Sequence, residues 1–399
     1  MNISIDHKPS ESKEANCPVC QHTNVATFVQ INDQPVHIGL LWSNRRDALN
    51  APRGDLNLTI CNGCGHVFNR AFDPKLMEYD QPYDNSLFYS KVFHEYARHL
   101  AHDLITRYDI NNKNILEIGS GRGDFLKLMC ELGNNHGTGY DPSYKPEGNG
   151  TLLSHKISFI KGMYTEKDAL IQADLVCCRH TLEHLARPDE LLHVLRSNFT
   201  HSPNTILYFE VPNFDYTLRK TLLWDLIYEH CHYFTAGSLR TLFFRCGFEI
   251  IRLYEAFGGQ YLGLECRIAP RILDKETDGQ VDFHKVFEFS QKANQRVHSW
   301  AKILSKDERK GIEVVAWGAG AKGVCFLNIL NLQEKIHYIV DLNPRKHGMF
   351  IPGTGQKIVA PKALCSIKPG MVVVMNPLYE NEIVESLTNL HIKTEIQLA

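Results

Sequence analysis

Two glycine-rich turns, each placed between a buried strand and a helix, constrain the fold of this chain most. The first is Gly119-Ser-Gly121-Arg-Gly123, which follows an apolar run, and the second is Gly318-Ala-Gly320-Ala-Lys322-Gly323. Glycine permits positive φ and close approach of the backbone to a ligand. The helix that follows presents free N–H groups to negative charge. Strands that alternate with helices around such turns predict an α/β fold with mostly parallel sheets.

Composition excludes some classes of partner. The 399 residues carry a formal net charge of -2, so no global basic field favours binding to nucleic acid or an anionic membrane. No apolar run is long enough to span a bilayer, and the polar N-terminus lacks the apolar core of a signal peptide. We expect a cytoplasmic protein that acts on a small molecule, with its cysteines mostly reduced.

Four of the twelve cysteines stand as two close pairs, Cys17-Pro-Val-Cys20 and Cys61-Asn-Gly-Cys64. A two-residue gap lets one tight turn direct two sulfur atoms at one ion, and zinc prefers four thiolates in a tetrahedron. We therefore expect Cys17, Cys20, Cys61 and Cys64 to hold a structural zinc ion. Two unrelated cysteine pairs are the alternative.

Two carboxylates sharpen the interpretation of the first glycine turn, because such a turn alone is shared by many dinucleotide-binding folds. Glu117 precedes the glycines on the strand, and Asp141 ends the next strand, where a carboxylate accepts hydrogen bonds from ribose hydroxyls. The segment Leu116–Phe125 resembles the first motif of class I S-adenosylmethionine methyltransferases. The resemblance implies that Glu117, Gly119, Gly121, Gly123 and Asp141 bind that cofactor. A nicotinamide cofactor in the same fold is the alternative.

Two histidine-rich segments follow. His180-Thr-Leu-Glu183-His184 resembles the segment after the fourth strand in the same superfamily, which implies a place for His180 beside the cofactor. Glu183 and His184 are equally well explained as structural polar residues. The second segment is Tyr228-Glu-His230-Cys-His-Tyr-Phe234. A neutral histidine is suited to take a proton near pH 7, and a metal site or a buried polar turn is the alternative.

The second histidine segment, together with Glu210-Val-Pro212 and Gly258-Gly259, resembles the sugar C-methyltransferases. That family joins a zinc-binding N-terminal domain, a methyltransferase core and a Rossmann-like C-terminal domain. It methylates the carbon beside the keto group of nucleotide-linked 4-keto deoxy sugars. The resemblance implies that His230 is the base, with Glu229 beside it and Tyr228 and Tyr83 as further catalytic candidates. Tyr228 departs from the family pattern, which has one more residue before the Glu-His pair.

The second glycine turn fits the NAD fingerprint, since Asp341 ends the next strand, where a ribose-binding acid belongs. Its continuation, Asp341-Leu-Asn343-Pro344 and Ile351-Pro-Gly-Thr354, resembles instead the C-terminal domain of the sugar methyltransferases. The resemblance implies that this unit holds a sugar nucleotide. Lys322 is expected to meet the diphosphate, and His232 is a second candidate for substrate binding.

The sequence therefore predicts three domains. Residues 1–82 form a zinc-binding domain, residues 83–280 the doubly wound methyltransferase domain, and residues 281–399 the Rossmann-like substrate-binding domain, with Lys275–Gln280 as a linker. The predicted function is C-methylation beside a keto group through an enolate. The alternatives are an O- or N-methyltransferase of another small molecule, and an NAD-dependent enzyme or nucleotide-binding module.

Overall fold

The computed structural model describes residues 3–4, 16–77, 83–84, 86–145, 156–270, 283–309 and 311–399. Within them the chain forms three sheets of five, seven and five strands. The predicted linker Lys275–Gln280 lies outside the described residues.

The N-terminal unit is an antiparallel sheet in which neighbouring strands follow one another along the chain. Its elements are β1 (Ile3–Ser4), β2 (Val25–Pro35), α1 (Arg45–Leu49), β3 (Arg53–Cys61) and β4 (Val67–Asn69). Leu56, Leu58 and Ile60 alternate along β3 and are all buried, as expected for side chains that share one face of a strand.

The central unit contains the first glycine turn. Its elements are α2 (Lys91–Tyr108), β5 (Asn114–Ile118), α3 (Asp124–Gly133), β6 (His136–Tyr140), β7 (Ile157–Ile160), β8 (Leu175–Arg179), α4 (Pro188–Asn198), β9 (Ile206–Pro212), α5 (Phe214–Lys220), β10 (His232–Tyr233), α6 (Ala236–Arg245), β11 (Phe248–Ala256) and β12 (Tyr261–Ile268). The seven-stranded sheet has the order β11-β12-β9-β8-β5-β6-β7. Strands β5 to β9 pair in parallel, and β11 and β12 add an antiparallel edge. The predicted α/β fold is confirmed.

The C-terminal unit is a second parallel sheet. Its elements are α7 (Phe283–Arg309), β13 (Val314–Trp317), α8 (Ala321–Ile329), β14 (Tyr338–Val340), β15 (Lys357–Val359), α9 (Leu364–Ile367), β16 (Met371–Val374), α10 (Glu380–Asn389) and β17 (Glu395–Leu398). The order β15-β14-β13-β16-β17 places the glycine turn after the central strand. The apolar positions between Val286 and Leu304 recur at three- and four-residue steps along the long helix α7.

Two elements join units that the sequence divides. The two residues of β10 pair with β4 of the N-terminal sheet, although they lie in the central unit of the chain. Apolar positions of α7, including Phe289 and Trp300, share one buried cluster with β2, β3 and the C-terminal sheet. The three units are therefore held around common cores. No helix in the described part of the chain is long and apolar enough to cross a membrane.

Candidate active site and metal centre

A cavity of about 1310 Å³ lies where the three units meet. Gly119 and Gly121 line one part of it, Gly318 and Gly320 line another, and Tyr83 lines it from the N-terminal side. Ligands of open parallel sheets bind beyond the carboxyl ends of the strands, and both glycine turns occupy that position. The volume exceeds the ~300–1,000 Å³ of a site for one drug-sized ligand, so it has room for a cofactor and a substrate together.

The first glycine turn is held to the end of β6 by a carboxylate. The Gly121 N–H donates to Asp141 Oδ2 at 2.8 Å, and the Ser143 N–H donates to the other oxygen at 2.7 Å. Gly121 has φ of +52°, and a Cβ built there would meet open space. Gly119 also has positive φ, and a Cβ there would collide with Thr181 at 1.8 Å. The turn therefore requires glycine at two positions. Gly119 leaves room for Thr181, and Gly121 has a positive φ beside the cavity.

Of the remaining cofactor-binding candidates, Glu117 and His180 line the cavity and Gly123 does not. Glu117 lies in the cavity wall, and its Oε2 is buried without a hydrogen-bond partner among the described residues. Burial raises the pKa of Glu117 to about 8. His180 also lines the cavity, with φ of +50° and its ring 4.5 Å from that of Tyr261. Gly123 caps α3 and lies behind the cavity wall, where its Cβ position faces Phe159.

A buried ion pair that sequence reasoning missed supports this region. Arg179 donates to Glu210 Oε1 through Nε at 3.0 Å and through Nη2 at 2.7 Å. Glu210 also accepts from the hydroxyls of Tyr96 and Tyr208, and the Arg179 guanidinium holds the pKa of Glu210 well below its usual range despite burial. The two residues pair across β8 and β9, with Arg179 at the end of β8 and Glu210 close to the end of β9. Opposite charges at or near the ends of two adjacent apolar strands are the sequence signal that would have found them.

His230 lies in the wall of the cavity that both glycine turns line. Its ring is 4.8 Å from that of His184, at nearly a right angle. Burial lowers the pKa of His230 well below 6.5, and the electrostatic effect of His184, His180 and Lys322 lowers it further. His230 is therefore a neutral imidazole at pH 7, the form that accepts a proton.

Glu229 does not line the cavity, but it forms a hydrogen bond with Tyr83, which does. Its carboxylate is fully buried and accepts hydrogen bonds from the Ile38 N–H at 2.8 Å and from the Tyr83 hydroxyl at 3.0 Å. His37 Nδ1 lies 3.6 Å from the same carboxylate. The arrangement places the Tyr83 side chain at the cavity, next to the residue that precedes His230 in the chain.

Two predicted site residues, Tyr228 and His232, lie outside the cavity wall. Tyr228 is buried against the N-terminal sheet, where its hydroxyl accepts a hydrogen bond from the Asp73 N–H at 2.8 Å. The His232 ring is buried and lies 2.9 Å from a ring nitrogen of His66. Neither residue lines the cavity. A turn precedes β10, so consecutive side chains of this segment point in different directions.

The second glycine turn repeats the geometry of the first. The Ala319 N–H donates to Asp341 Oδ2 at 2.8 Å, and the Asn343 N–H donates to the other oxygen at 2.8 Å. Lys322 lines the cavity, where its ammonium group forms an ion pair with Asp225. Lys346 donates to the Ala319 carbonyl at 2.9 Å.

The four paired cysteines meet in one cluster. Their sulfur atoms all lie within 4.8 Å of one another, with Cys17 and Cys64 3.7 Å apart and Cys20 and Cys61 3.4 Å apart. Thiolates 2.3 Å from a common tetrahedral ion lie ~3.8 Å apart. No disulfide joins them. The geometry suits a four-thiolate metal ion.

Comparisons with known proteins agree with this geometry. Residues 91–253 match the family model described as a methyltransferase domain, and residues 267–395 match the one described as a C-methyltransferase C-terminal domain. The C-methyltransferase NovU of Streptomyces niveus is 23% identical over 93% of this chain and 91% of its own length. The chain belongs to the S-adenosylmethionine-dependent C-methyltransferases.

Solved structures align with part of this C-methyltransferase. Human N-acetylserotonin methyltransferase in complex with SAM aligns over 44% of this chain and about half of its own length (55%), with 19% identity and a TM-score of 0.34. Magnesium protoporphyrin IX methyltransferase from Synechocystis, with bound SAH, aligns over 45% of this chain and 84% of its own, with 14% identity and a TM-score of 0.34.

The cavity of the C-methyltransferase fits the cofactor of its family. The open space beside Gly121 leaves room for a ligand at the glycine turn, and the unpartnered oxygen of Glu117 is a polar atom in the same wall that is left for a ligand. When bound, S-adenosylmethionine supplies a methyl group activated by a positively charged sulfur.

Proposed function

We propose that this C-methyltransferase methylates the carbon beside a keto group of a nucleotide-linked deoxy sugar, with His230 as the base. The observation that carries the proposal is the position of His230 in the wall of the cavity that both glycine turns line, where burial lowers the pKa of its imidazole. A hydrogen beside a ketone is acidic enough for a base held at hydrogen-bond distance.

In this proposal, Glu117, Gly119, Gly121 and Asp141 hold the cofactor, and His180 lies beside it. Asp141 already accepts the N–H groups of Gly121 and Ser143, so its position is fixed before a ribose arrives. Gly123 contributes by starting α3 rather than by contact with the ligand.

Tyr83 is proposed to position the substrate beside His230. Its hydroxyl donates its single hydrogen to Glu229, whose buried carboxylate is also held by the Ile38 N–H. The phenol oxygen is therefore left as an acceptor for a hydroxyl group of the substrate. Glu229 is then a positioning residue, because it does not touch the substrate itself. It acts through the Tyr83 hydroxyl that it holds and through the direction of the backbone that leads into His230.

The second glycine turn is the proposed site of the nucleotide part of the substrate. It opens into the same cavity as His230, and its Lys322 and Lys346 carry positive charge. Lys322 is paired with Asp225, so a diphosphate must displace that carboxylate or share the ammonium group with it. The match of residues 267–395 to the C-methyltransferase C-terminal domain favours substrate binding over NAD at this turn.

The cysteine cluster is the proposed zinc site. Four thiolates complete a tetrahedral shell, and no position is left for a substrate. Its role is structural, because Cys17, Cys20, Cys61 and Cys64 connect the turn at residues 17–20 to β3 beside the core of the methyltransferase sheet.

Isotope exchange tests the proposal. The probe is a nucleoside-diphosphate-linked 4-keto-6-deoxyhexose that carries deuterium on the carbon beside the ketone, incubated with the holoenzyme and S-adenosylhomocysteine. We expect wild type to release the deuterium and His230→Gln to release it ~100-fold more slowly. His193→Gln, at an exposed position on α4, is the matched control and should match wild type. Methyl transfer to oxygen or nitrogen without loss of deuterium would instead support the alternative function, an O- or N-methyltransferase of another small molecule.

A further inference from the structure

Glu183 is a buried carboxyl group close to the proposed base, His230. It lies in a short turn, Leu182–His184, that follows β8, and only 1% of the residue is exposed. Neither carboxylate oxygen has a hydrogen-bond partner among the described residues. A buried carboxylate ion without partners is strongly unfavourable, so such a group takes up a proton or pairs with a cation.

The surroundings of Glu183 favour the protonated form. The imidazole of His180 has its Nδ1 3.9 Å from Glu183 Oε1, and His184 and His230 are nearby with their pKa values lowered by burial. Burial raises the pKa of Glu183 to about 8, and the negative charge of Glu210 adds to that effect. The ionisable groups that face it are His180, His184, His230, Glu210, Cys178 and Cys231.

Glu183 also lies in the cavity wall beside the proposed base. One donor or acceptor atom from each of Glu183, His184 and His230 lies within 4.8 Å of the others. A keto oxygen and the hydrogen-bearing carbon next to the carbonyl are only two bonds apart. One substrate can therefore present its oxygen to Glu183 and its acidic hydrogen to His230 at the same time.

Building on the proposed function, we propose that Glu183 is a neutral catalytic acid that donates a hydrogen bond to the keto oxygen while His230 removes the proton from the neighbouring carbon. The electrons of the broken C–H bond enter the new carbon–carbon double bond, and those of the carbonyl π bond move to the oxygen. The Glu183 O–H stabilises this oxygen and keeps its own proton. When the carbon has been methylated, the carbonyl re-forms and the abstracted proton remains on His230, from which it passes to water. A carboxylic acid kept neutral by its apolar site is a known way to hold an enolate.

The proposal predicts a specific pH dependence. Glu183 carries its proton below pH 8 and loses it above, so the hydrogen-bond donor disappears as pH rises through that value. Turnover should therefore decline on the alkaline side. A glutamine at this position keeps an N–H donor and has no proton to lose in this range, so it should abolish the decline.

The test uses the deuterated 4-keto-6-deoxyhexose nucleotide with wild type, Glu183→Leu, Glu183→Gln and the control Glu131→Gln, which is exposed on α3. We expect Glu183→Leu to exchange deuterium ~100-fold more slowly, as when one oxyanion donor is removed. Glu183→Gln should recover most of that loss and show no alkaline decline, and Glu131→Gln should match wild type. Binding of S-adenosylhomocysteine by calorimetry shows that each variant is folded.

Three outcomes overturn parts of this scheme separately. Equal exchange by wild type and Glu183→Leu would overturn the role of Glu183 alone, as would an alkaline decline that persists in Glu183→Gln. No exchange by wild type would overturn the proposed C-methylation itself. Two metal ions per wild-type chain but one per Glu183→Gln chain would show that Glu183, His184 and His230 bind a cation, and would replace the acid with a metal.

Discussion

The Tyr83 hydroxyl donates a hydrogen bond to Glu229 Oε2 across 3.0 Å, although 146 positions separate the two residues. The bond connects the cavity wall to the buried carboxylate that precedes His230. The close approach of Gly39 to the Tyr83 ring, where a Cβ would lie 2.5 Å from two ring carbons, holds the ring from the other side. The hydroxyl end of the Tyr83 ring is therefore held both by a hydrogen bond and by packing.

We expect Tyr83→Phe and Glu229→Gln to be strongly non-additive. Tyr83→Phe removes a donor from a fully buried carboxylate, and Glu229→Gln weakens the acceptor, so each loses the same hydrogen bond. A double-mutant cycle on kcat/KM should give a coupling of ~1–3 kcal/mol. Tyr144→Phe paired with Glu229→Gln is the control cycle. Additive losses in the first cycle would show that Tyr83 acts without Glu229.

Zinc binding should depend on the paired cysteines alone. We expect one zinc ion per chain by metal analysis, lost in Cys64→Ser and kept in Cys365→Ser, whose side chain is exposed and far from the cluster in sequence. Because thiolates must lose protons to bind, the ion should be released as pH falls. A zinc-free wild-type protein of unchanged stability would contradict a structural metal site.

The buried ion pair of Arg179 and Glu210 should stabilise the sheet as long as both partners remain. We expect Glu210→Gln to lower the free energy of unfolding by about 3–5 kcal/mol, because it leaves the Arg179 guanidinium buried and unpaired. Glu255→Gln breaks the surface pair with Arg219 and should cost less than about 1 kcal/mol. Urea unfolding measures both.

The same pair has a defined pH dependence. The folded pKa of Glu210 lies well below the ordinary 4.5, so its contribution is present above pH 4.5 and is lost as pH falls towards the folded pKa. In Glu210→Gln, the part of the decrease in the free energy of unfolding that comes from protonation of Glu210 should be absent. Urea unfolding of both proteins at several pH values measures the difference.

Much of this architecture follows from local sequence. The glycine turns, the strands before them and the carboxylates Asp141 and Asp341 are local patterns, and the structure places each where the pattern predicts. The position of His230 at the cavity is compatible with its expected role.

The local sequence did not reveal the direction in which neighbouring side chains point. Tyr228 and His232 are within two positions of His230, yet a turn sends them into the N-terminal sheet and towards His66. The partners of Glu229 and Glu210 come from distant segments, so composition near either residue does not reveal them. Contacts of this kind are set by how the units pack.

The decline of kcat/KM at low pH should reflect the lowered pKa of His230. Its pKa lies well below 6.5, so the neutral base persists at pH values where an exposed histidine is already charged. We expect kcat/KM to stay level as pH falls from 7.5 to 6.5 and to decline only below that range. A profile of methyl transfer between pH 4.5 and 8 measures this. A midpoint at 6.5 or above would mean that another group sets the limb.

The matching geometry of Asp141 and Asp341 allows the two glycine turns to be assigned by paired variants. Each carboxylate accepts a turn N–H at 2.8 Å, so Asp141→Asn and Asp341→Asn are equivalent changes at the two sites. We expect Asp141→Asn to weaken S-adenosylhomocysteine at least ~10-fold, about 1.4 kcal/mol, and to leave a nucleoside-diphosphate sugar unaffected. Asp341→Asn should do the reverse.

Calorimetry with S-adenosylhomocysteine, the nucleoside-diphosphate sugar and NADH distinguishes the alternatives, with Asp103→Asn on the exposed face of α2 as the control. Asp103→Asn should bind all ligands as wild type does. NADH binding that Asp341→Asn abolishes would assign the second turn to a nicotinamide cofactor, because the same carboxylate position binds ribose in that class of site. Weakening of the sugar nucleotide by Asp341→Asn, with no NADH binding, would place the substrate across the cavity between the two turns, with its keto group towards His230.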